Sequence, residues 1–575
     1  MTRLPNTRKL TILAQDPAVR LGGRLAFAAV EVPAELLARG PTGYRVKVVD
    51  YDASSRLLYQ DKIEHEPVNG QFSDPFARAP EEQDADYERR LLGNPNFHAQ
   101  NVYAIVMRTL SRFEFALGRR VAWSFGGHQL NVAPHAFAVA NAFYSEEDKG
   151  LFFGYFTGTS GDRVFTCLSH DVVAHETTHA LLDGLRTGFT ELSGPDQSAF
   201  HEAFADVVAL LSIFSLPELV AALLNEEFQP PRQGSEIRPI DGSRLTARSL
   251  RENSLMKLAE QFGREVQNVH GDALRRSLMI EPGTDVLSRP EYQEEHARGE
   301  VLAAAMMRSF LGLWDRRIRE LGTFGDNQYN LDMVIEEGAK VADHLLTMSI
   351  RALDYCPPVD IDFRAFLAAA LTADAELIPG DRYGYRQAIL EAFASYGIEP
   401  PEEGCMVPDG TWCRFDPTIP ISYANTNFES MLRDKEEVFR FIWENRDALG
   451  IEVRGVIEVD TPRPSIRQGP DGFFLKETIV TYIQRADLFG AEAGAILGCS
   501  LPEDMTTRQR ITAFGGGVLV FDQYGQIKYH VAHPLKAEKR QYARLKYLWE
   551  HSQTSAPLRG ARDRFAGLHR ARAED

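Results

Sequence analysis

The pattern with the clearest chemical meaning is His175-Glu176-Thr177-Thr178-His179, a His-Glu-x-x-His sequence. Residues four apart lie on one face of an α-helix, so the two imidazoles can converge on a single metal ion. Glu176 then lies beside that ion, where its carboxylate can take a proton from water. The pattern therefore predicts a zinc ion held by His175 and His179, with Glu176 as the base of a hydrolytic reaction. The alternative is a surface helix with two solvated histidines, and the apolar residues that flank the pattern argue against it.

A second predicted helix supplies further carboxylates. Glu202 and Asp206 are four residues apart and share a face of this helix, which we expect to begin at a Ser198 cap after Pro195. A zinc hydrolase needs a third protein ligand, and a ligating histidine often donates its other N–H to a carboxylate. We therefore expect one of these acids to bind the metal and the other to orient a histidine. The alternative is a pair of exposed acids, although the helix also carries several large apolar residues.

The elements that must position these residues are of mixed type. Strand patterns occur at 44–66, 121–132, 136–143 and 151–156. Helical periodicity occurs at 96–117, 170–183, 198–214, 246–266, 298–320, 328–353, 361–374 and 383–396. Strand patterns return after Pro400, so the predicted fold class is α+β. The predicted parts are a β-rich N-terminal portion (1–90), a β/α part with the metal helix (91–215), an α-helical part (216–400) and an accessory α+β domain (401–575).

Composition and charge narrow the class of protein. The chain has 575 residues and a formal net charge of −18, which argues against a nucleic-acid partner. No apolar stretch approaches the roughly 18 residues of a membrane span, and the N-terminal residues lack a signal-peptide pattern. Five scattered cysteines do not form a disulfide framework, and Cys405 and Cys413 are interpreted as ordinary thiols. We expect a soluble, cytoplasmic protein with no membrane partner, and export by a route without a signal peptide stays open.

Beyond the separate motifs, the sequence resembles the thermolysin-like zinc endopeptidases of the gluzincin group. The resemblance is carried by Asp171-Val-Val-Ala-His-Glu-Thr-Thr-His-Ala, by His201-Glu202-Ala-Phe-Ala-Asp206, by Asn141-Ala142-Phe143-Tyr144, and by short segments between Ile350 and Ile398. It covers about residues 45–398 and leaves out 401–575. It implies a two-lobe metalloprotease, with a β-rich N-terminal lobe that ends in the metal helix, an α-helical lobe, and a cleft between them for a protein or peptide substrate.

The resemblance also implies a role for each matched residue. The implied zinc ligands are His175, His179 and Glu202, with Glu176 as general base and Asp206 as the partner of His175. The implied substrate-binding residues are Asn141 and Ala142, which hold the substrate backbone, and Arg276, which binds a substrate carbonyl. We expect His296, and not His270, to stabilise the oxyanion, with its ring oriented by Glu291. One departure stands out, because Phe189 is the nearest aromatic residue to the position where the family has a tyrosine that assists the oxyanion.

Two functions follow from these observations. The first is a zinc-dependent endopeptidase, and the second is a zinc-containing scaffold that binds peptides with little or no catalysis and acts through its C-terminal domain. The missing tyrosine favours the scaffold, whereas the intact His175, Glu176, His179 and Glu202 favour the enzyme. We expect residues 401–575 to form a separable domain that gates or targets the protease, for example through a regulatory partner. A packing appendage needed only for folding is the alternative.

Overall fold

The computed structural model describes residues 6–17, 20, 23–59, 72–158, 161–191, 193–224, 237–255, 277–401 and 406–554. Within these ranges the fold is α+β with several separate sheets, as the sequence predicts. Two residues with predicted or rejected roles, Arg276 and His270, lie outside the described residues. Their assignments therefore stay predictions from the sequence.

The strands and helices of the described residues alternate in the first half of the chain and segregate in the second. The strands are β1 (Thr7–Leu13), β2 (Phe27–Pro33), β3 (Val46–Val48), β4 (Tyr51–Asp52), β5 (Leu57–Leu58), β6 (Leu130–Phe137), β7 (Ala142–Ser145), β8 (Gly150–Thr157), β9 (Arg163–Phe165), β10 (Pro239–Asp241), β11 (Gln328–Asn330), β12 (Val456–Val459), β13 (Arg463–Gln468), β14 (Phe474–Phe489), β15 (Arg510–Phe521) and β16 (Ile527–His533). The longer helices are α1 (Asp84–Leu92), α2 (Pro95–Leu117), α3 (His170–Leu185), α4 (Pro195–Phe214), α5 (Pro217–Leu223), α6 (Glu295–Glu320), α7 (Leu331–Ala352), α8 (Phe363–Leu377), α9 (Tyr385–Ala394), α10 (Lys435–Glu444) and α11 (Glu538–Thr554).

Most of the predicted helices are confirmed, and the main correction concerns the start of α4. The predicted cap, Ser198, lies inside the helix, which begins at Pro195 with Gly194 as the residue before it. Proline is favoured at the first helical position because its fixed φ suits the helix and the N–H that it lacks would have no helical partner. The proline therefore starts the helix one turn earlier than the sequence interpretation placed it.

One sheet contacts α3 through its strand β7. Its strand order is β3-β6-β8-β7, with β9 pairing along another part of β8. Strands β3, β6 and β8 are parallel, whereas β7 is antiparallel to β8 and lies at the edge of the sheet. An edge strand carries backbone groups that no neighbouring strand uses, so β7 has the capacity to pair with an extended peptide.

The core of the molecule is built around two almost wholly buried helices, α3 and α4. A single apolar cluster includes residues of both helices and of α2, α6, α7 and α8. Helix α4 carries a run of large apolar residues, and Phe200 and Phe204 stack with ring centroids 5.7 Å apart. Because both helices are fixed on several sides by close packing, polar side chains that they direct inward are held in defined positions.

The C-terminal part packs directly onto this core. Ile479 of β14 and Val518 of β15 belong to the same apolar cluster as α3 and α4. A buried ionic network also joins the two parts, in which Arg467 contacts Asp354 and donates to Glu477 at 2.8 Å. Burial raises the pKa of Asp354, but the neighbouring Arg119 and Arg467 outweigh it and hold this pKa below its ordinary value. A boundary near residue 400 stays a prediction, and buried contacts cross it.

The cysteines differ from the expectation at one position. Cys413 is disulfide-bonded, so its interpretation as an ordinary thiol is wrong, whereas Cys167, Cys356 and Cys499 are free thiols. Cys405 lies outside the described residues. In the described part of the chain, no single helix is long and apolar enough to cross a membrane, although α4 and α5, joined by a bend of 84°, together meet the length and composition criteria.

Candidate metal centre

Helices α3 and α4 bring three metal-binding side chains together. His175 and His179, one turn apart on α3, have their Nε2 atoms 3.0 Å from each other. Glu202 of α4 approaches both rings, with its carboxylate oxygens 3.4 Å from His175 Nε2 and 3.5 Å from His179 Nε2. All three side chains are buried. We call this group the α3–α4 cluster, and the structure brings its three predicted members together.

The spacing and chemistry of these donors fit a zinc ion. Donors at the corners of a tetrahedron around zinc lie about 3.3 Å apart when the bonds are about 2.0–2.1 Å long. The two histidine nitrogens are 3.0 Å apart, and each has a different Glu202 oxygen at 3.4 or 3.5 Å, which is close to this spacing. Two imidazoles and one carboxylate are also a donor set that suits zinc. The α3–α4 cluster can therefore hold a zinc ion with small adjustments of its side chains.

The outer nitrogens of both histidines have partners on α4. His175 Nδ1 lies 2.9 Å from Asp206 Oδ1, as the sequence interpretation expects for this pair. His179 Nδ1 lies 3.1 Å from Nδ1 of His201, whose ring stacks on that of His179. These contacts orient each ring so that Nε2 points at the centre of the cluster. His201 had no role predicted from the sequence, and its position directly before Glu202 was the signal that could have suggested one.

The electrostatics of the cluster favour a cation. Burial lowers the pKa of His175, but hydrogen bonds and charge from Asp206 and Glu202 outweigh it and raise this pKa well above its ordinary value. The carboxylates therefore hold a proton on His175 when no metal is bound. Since a metal ion must displace such a proton, metal affinity is expected to fall as the pH is lowered.

Glu176 links the cluster to the edge strand. The backbone N–H of Tyr144 in β7 donates to Glu176 Oε2 at 2.9 Å, which fixes the carboxylate between the metal helix and the sheet edge. The Tyr144 hydroxyl donates to Asp183 at the far end of α3, so the strand is attached to the helix at two points. Burial and the charge of Asp183 raise the pKa of the Tyr144 hydroxyl far above its ordinary value. This tyrosine is therefore a neutral donor.

The two predicted backbone-binding residues lie at the start of the same strand. Asn141 precedes β7, its side-chain Oδ1 accepts the N–H of Ala142 at 2.9 Å, and its backbone carbonyl accepts the N–H of Gly154 at 2.8 Å. Both residues are buried. The structure thus places Asn141 and Ala142 on the edge strand whose N–H at Tyr144 reaches Glu176, and so on the same side of the cluster as the predicted base.

His296 lies beside Glu202, at the start of α6. Its Nε2 is 3.7 Å from Glu202 Oε2, and its Nδ1 is 2.8 Å from Glu294 Oε1. The prediction that Glu291 orients this ring is wrong, because Glu294, the residue before α6, makes that contact and also accepts the N–H of Ala297. Burial raises the pKa of Glu294, but the hydrogen bonds from His296 and Ala297 outweigh it and lower this pKa to about 2. Glu294 therefore stays ionised and holds His296 toward the cluster.

Phe189 does not contribute to the site. It is 1% exposed and packs edge-on against Phe200 at a centroid distance of 5.4 Å. A ring in this position fills the core between α3 and α4. The position that the resemblance linked to a tyrosine is thus used for packing.

A cavity of about 320 Å³ borders the ends of α3 and α4 that lie beyond the cluster, and the C-terminal part forms one of its walls. One wall includes Asp183, one turn beyond His179 on α3, and Gln197 of α4. The other wall includes Glu458, Arg485 and Arg544. Helix α11 also reaches α4, where the hydroxyls of Tyr547 and Ser198 are 3.1 Å apart, one turn before Glu202.

A second buried group of donors lies away from these helices. His98, His135 and Cys167, which we call the α2–β6 cluster, offer donor atoms within 4.8 Å of one another. Burial and the neighbouring His135 lower the pKa of His98 to about 3, and burial raises that of the Cys167 thiol well above its ordinary value. Among the described residues, the α3–α4 and α2–β6 clusters are the buried groups that could hold a metal ion.

Comparisons with known proteins add no assignment to this geometry. Neither the models of protein families nor the curated proteins gave a match to the chain. The functional interpretation therefore depends on the residues and their positions.

Proposed function

We propose that the protein is a zinc-dependent endopeptidase with a thermolysin-like arrangement of two lobes. The observation that carries the proposal is the convergence of His175 Nε2, His179 Nε2 and the two Glu202 carboxylate oxygens, one near each histidine, at 3.0–3.5 Å, with Glu176 held beside them by the edge strand. A structural metal site needs only the ligands. The additional base next to an available strand edge is the combination that peptide hydrolysis requires.

His175, His179 and Glu202 would hold the zinc ion, and Asp206 and His201 would keep the two rings in orientation. Zinc, when bound, would supply Lewis acidity, which polarises a carbonyl and makes water more acidic. Glu176 would take a proton from the attacking water at its carboxylate and then pass that proton to the leaving amine nitrogen. The N–H of Tyr144 holds one carboxylate oxygen and thereby orients Glu176.

His296 and the edge strand complete the proposed machinery. The His296 ring would act as an imidazolium, with its Nδ1–H donating to the Glu294 carboxylate and its Nε2–H donating to the oxyanion that forms at the substrate carbonyl. Strand β7, with Asn141 and Ala142 at its start, would pair with the extended backbone of the substrate. The base and the oxyanion donor would then act on the same scissile bond.

The proposed role of the C-terminal part is to shape the substrate cleft. Glu458, Arg485 and Arg544 line the cavity beside α3 and α4, so a peptide that extends beyond the metal cluster would meet them. The buried network around Arg467 and Asp354 supports a fixed wall more than a detachable domain. Restriction of substrate length or sequence is therefore the proposed contribution of residues 406–554.

A peptide-binding scaffold remains the second candidate, and the burial of Phe189 favours it. Because the buried Phe189 has no hydroxyl, His296 is the one side chain proposed as an oxyanion donor. Removal of one such donor costs an enzyme about 10²–10³ in rate and does not abolish catalysis. The enzyme is thus the better supported of the two functions, and the scaffold predicts peptide binding without turnover.

Digestion of an unfolded protein substrate tests the proposal. We expect cleavage by the zinc-loaded chain, loss of cleavage with a chelator, and recovery when zinc is restored. Glu176→Gln should lower kcat by about 10²–10⁴-fold at unchanged zinc content, because an amide cannot accept the proton of water. Glu320→Gln, at the exposed C-terminal end of α6, is the matched control and should leave kcat unchanged. Peptide binding by the wild type without any cleavage would support the scaffold instead.

A further inference from the structure

The α2–β6 cluster is assembled from three separate elements. His98 lies in the first turn of α2, His135 in β6, and Cys167 in the 3₁₀ turn Thr166–Leu168 that leads into α3. Their side chains are buried, with exposed fractions of 1%, 3% and 0%. Their donor atoms nevertheless point at one another in a region otherwise filled with aromatic rings. A buried group of this kind needs a partner for each polar atom.

The outer nitrogens of the two rings are already used. His98 Nε2 lies 2.8 Å from the carbonyl oxygen of Leu92, so this nitrogen carries a hydrogen and donates it. His135 Nδ1 lies 2.7 Å from Asp50 Oδ1, and it donates to that carboxylate. A neutral imidazole has one N–H and one lone pair. The remaining nitrogens, His98 Nδ1 and His135 Nε2, therefore both present lone pairs.

These two lone pairs face each other at a distance of only 2.8 Å. Two acceptors at this separation repel unless a cation lies between them, either a proton or a metal ion. The α3–α4 cluster has the same feature, because its two facing nitrogens are 3.0 Å apart and their outer nitrogens also have partners. Carboxylates and carbonyls that accept the outer N–H of a histidine are typical of metal sites.

We propose that His98 Nδ1, His135 Nε2 and Cys167 Sγ bind a second zinc ion, which has a structural role. The third donor distinguishes a metal from a proton, because a thiolate and two imidazoles form a set that zinc prefers. The charges also match. The Asp50 carboxylate and a Cys167 thiolate together carry two negative charges, which a divalent ion balances in a buried site.

The surroundings indicate a structural role. The ring of Phe165 covers both histidines, at centroid distances of 4.8 Å from His98 and 5.2 Å from His135. Asn101, one turn beyond His98 on α2, donates from Nδ2 to the carbonyl of Cys167 at 2.9 Å and fixes the third donor from outside. Because all three donors are buried, a substrate has no access to this site. The ion would instead tie α2 and β6 to the turn from which α3 begins, and thereby position the helix that carries His175 and His179.

Formation of the site has a defined proton balance. Zinc would form one bond to each histidine nitrogen and one to sulfur, and the thiol proton of Cys167 and the proton that the two histidines share without the metal would both leave to solvent. No electron is transferred. The proposal does not depend on peptidase activity, so it can be tested whether or not the chain cleaves peptides.

Metal analysis of the full-length protein is the first test. We expect about two zinc ions per chain in the wild type, about one in His175→Ala, and about one in Cys167→Ser, because each variant removes a ligand of one cluster only. Cys356→Ser is the matched control, since Cys356 is also a fully buried free thiol and should leave the zinc content unchanged. A zinc content of one or less in the wild type, lost entirely in His175→Ala, would overturn the proposal and leave a shared proton between the histidines.

Replacement of zinc by Co²⁺ gives a test that requires no variant to fold. Thiolate coordination produces a sulfur-to-cobalt charge-transfer band, and among the described residues only the α2–β6 cluster combines a thiol with histidines. We expect this band in wild-type protein and in His175→Ala, and its loss in Cys167→Ser but not in Cys356→Ser. Wild-type protein that binds cobalt without the band would show that the thiol is not a ligand, and the proposal would fail.

Discussion

The α3–α4 and α2–β6 clusters have similar central geometry and different surroundings. Each has two imidazole nitrogens within about 3 Å of each other, a third donor, which is a carboxylate in one cluster and a thiol in the other, and partners for the outer ring nitrogens. Around the α3–α4 cluster lie two further ionisable side chains, Glu176 and His296, and a cavity of about 320 Å³ borders α3 at Asp183 and α4 at Gln197. Around the α2–β6 cluster lie the ring of Phe165 and the polar side chains of Asp50 and Asn101, which contact the donor residues from outside.

This difference shows that binding a metal ion and using it for hydrolysis have different requirements. Three converging donors suffice to hold an ion, and both clusters provide them. Hydrolysis also needs a base, a donor for the developing oxyanion and access for the substrate. In the described part of the chain, Glu176 and His296 lie beside the α3–α4 cluster, and the proposed function assigns them the first two of these roles. We therefore expect changes at one cluster to affect activity and changes at the other to affect stability.

The largest effect should come from Glu202→Ala. Loss of this carboxylate leaves two histidines, which hold zinc poorly, and loss of the Lewis acid removes several kcal/mol of transition-state stabilisation. We expect kcat/KM to fall about 10³-fold or more and the zinc content to fall by about one ion per chain. The sulfur-to-cobalt band of the other cluster should be unchanged. Full zinc occupancy in Glu202→Ala would show that the third ligand is another residue, and it would contradict the view that the two clusters have similar central geometry.

A smaller effect on activity is expected from His296→Ala. Its Nε2 lies near Glu202 but is not one of the three converging donors, so zinc content should be unchanged. Because an oxyanion donor acts mainly on charge in the transition state, kcat should fall about 10²–10³-fold with little change in KM. A loss of zinc in this variant would instead make His296 a fourth ligand, and the α3–α4 cluster would then be closed like a structural site.

The sequence predicted the α3–α4 cluster well because its members are close along the chain. Helical spacing alone places His175 beside His179 and Glu202 beside Asp206, and the short connection between the two helices limits their arrangement. The same rule cannot find the α2–β6 cluster. His98, His135 and Cys167 lie on a helix, a strand and a turn that meet only in the folded chain, and no spacing of His98 and His135 suggests a shared site.

Other differences between prediction and structure arose where several residues could make the same contact. Glu291 and Glu294 are both acids ahead of α6, and only the position of the helix start decides that Glu294 faces His296. The contacts between residues before and after position 400 also could not be predicted from the sequence. The pairing of Arg467 with Asp354 joins residues that are far apart in the chain, and composition gives no sign of it.

The third prediction concerns stability. Cys167→Ser should lower the free energy of unfolding by about 3 kcal/mol when zinc is present at about 100 times its Kd, because a bound ligand stabilises the folded state by mass action. After chelation the wild type and this variant should unfold at similar denaturant concentrations. Chemical denaturation with and without zinc measures the free energy of unfolding of both proteins in each condition. Cys356→Ser controls for the loss of a buried thiol. A zinc-independent difference between wild type and Cys167→Ser would mean that the sulfur contributes by packing alone.

The smallest effect is expected from Glu294→Gln, which tests whether this residue positions His296. The pKa of Glu294 is lowered to about 2, so its carboxylate should accept from His296 throughout the neutral range. A group whose folded-state pKa is depressed contributes stability above its unfolded pKa of about 4.5 and loses it as the pH falls toward 2. Glutamine keeps the shape and a weaker acceptor, so kcat should fall only about 10-fold, with KM and zinc content unchanged. Glu291→Gln, the change at the position that the sequence favoured, should have no effect on kcat.

In the His296→Ala background, Glu294→Gln should cause no further loss of kcat, because its influence passes through that ring. An additional loss there would show that Glu294 acts on the site by another route, and equal effects of Glu291→Gln and Glu294→Gln would show that neither carboxylate orients the histidine.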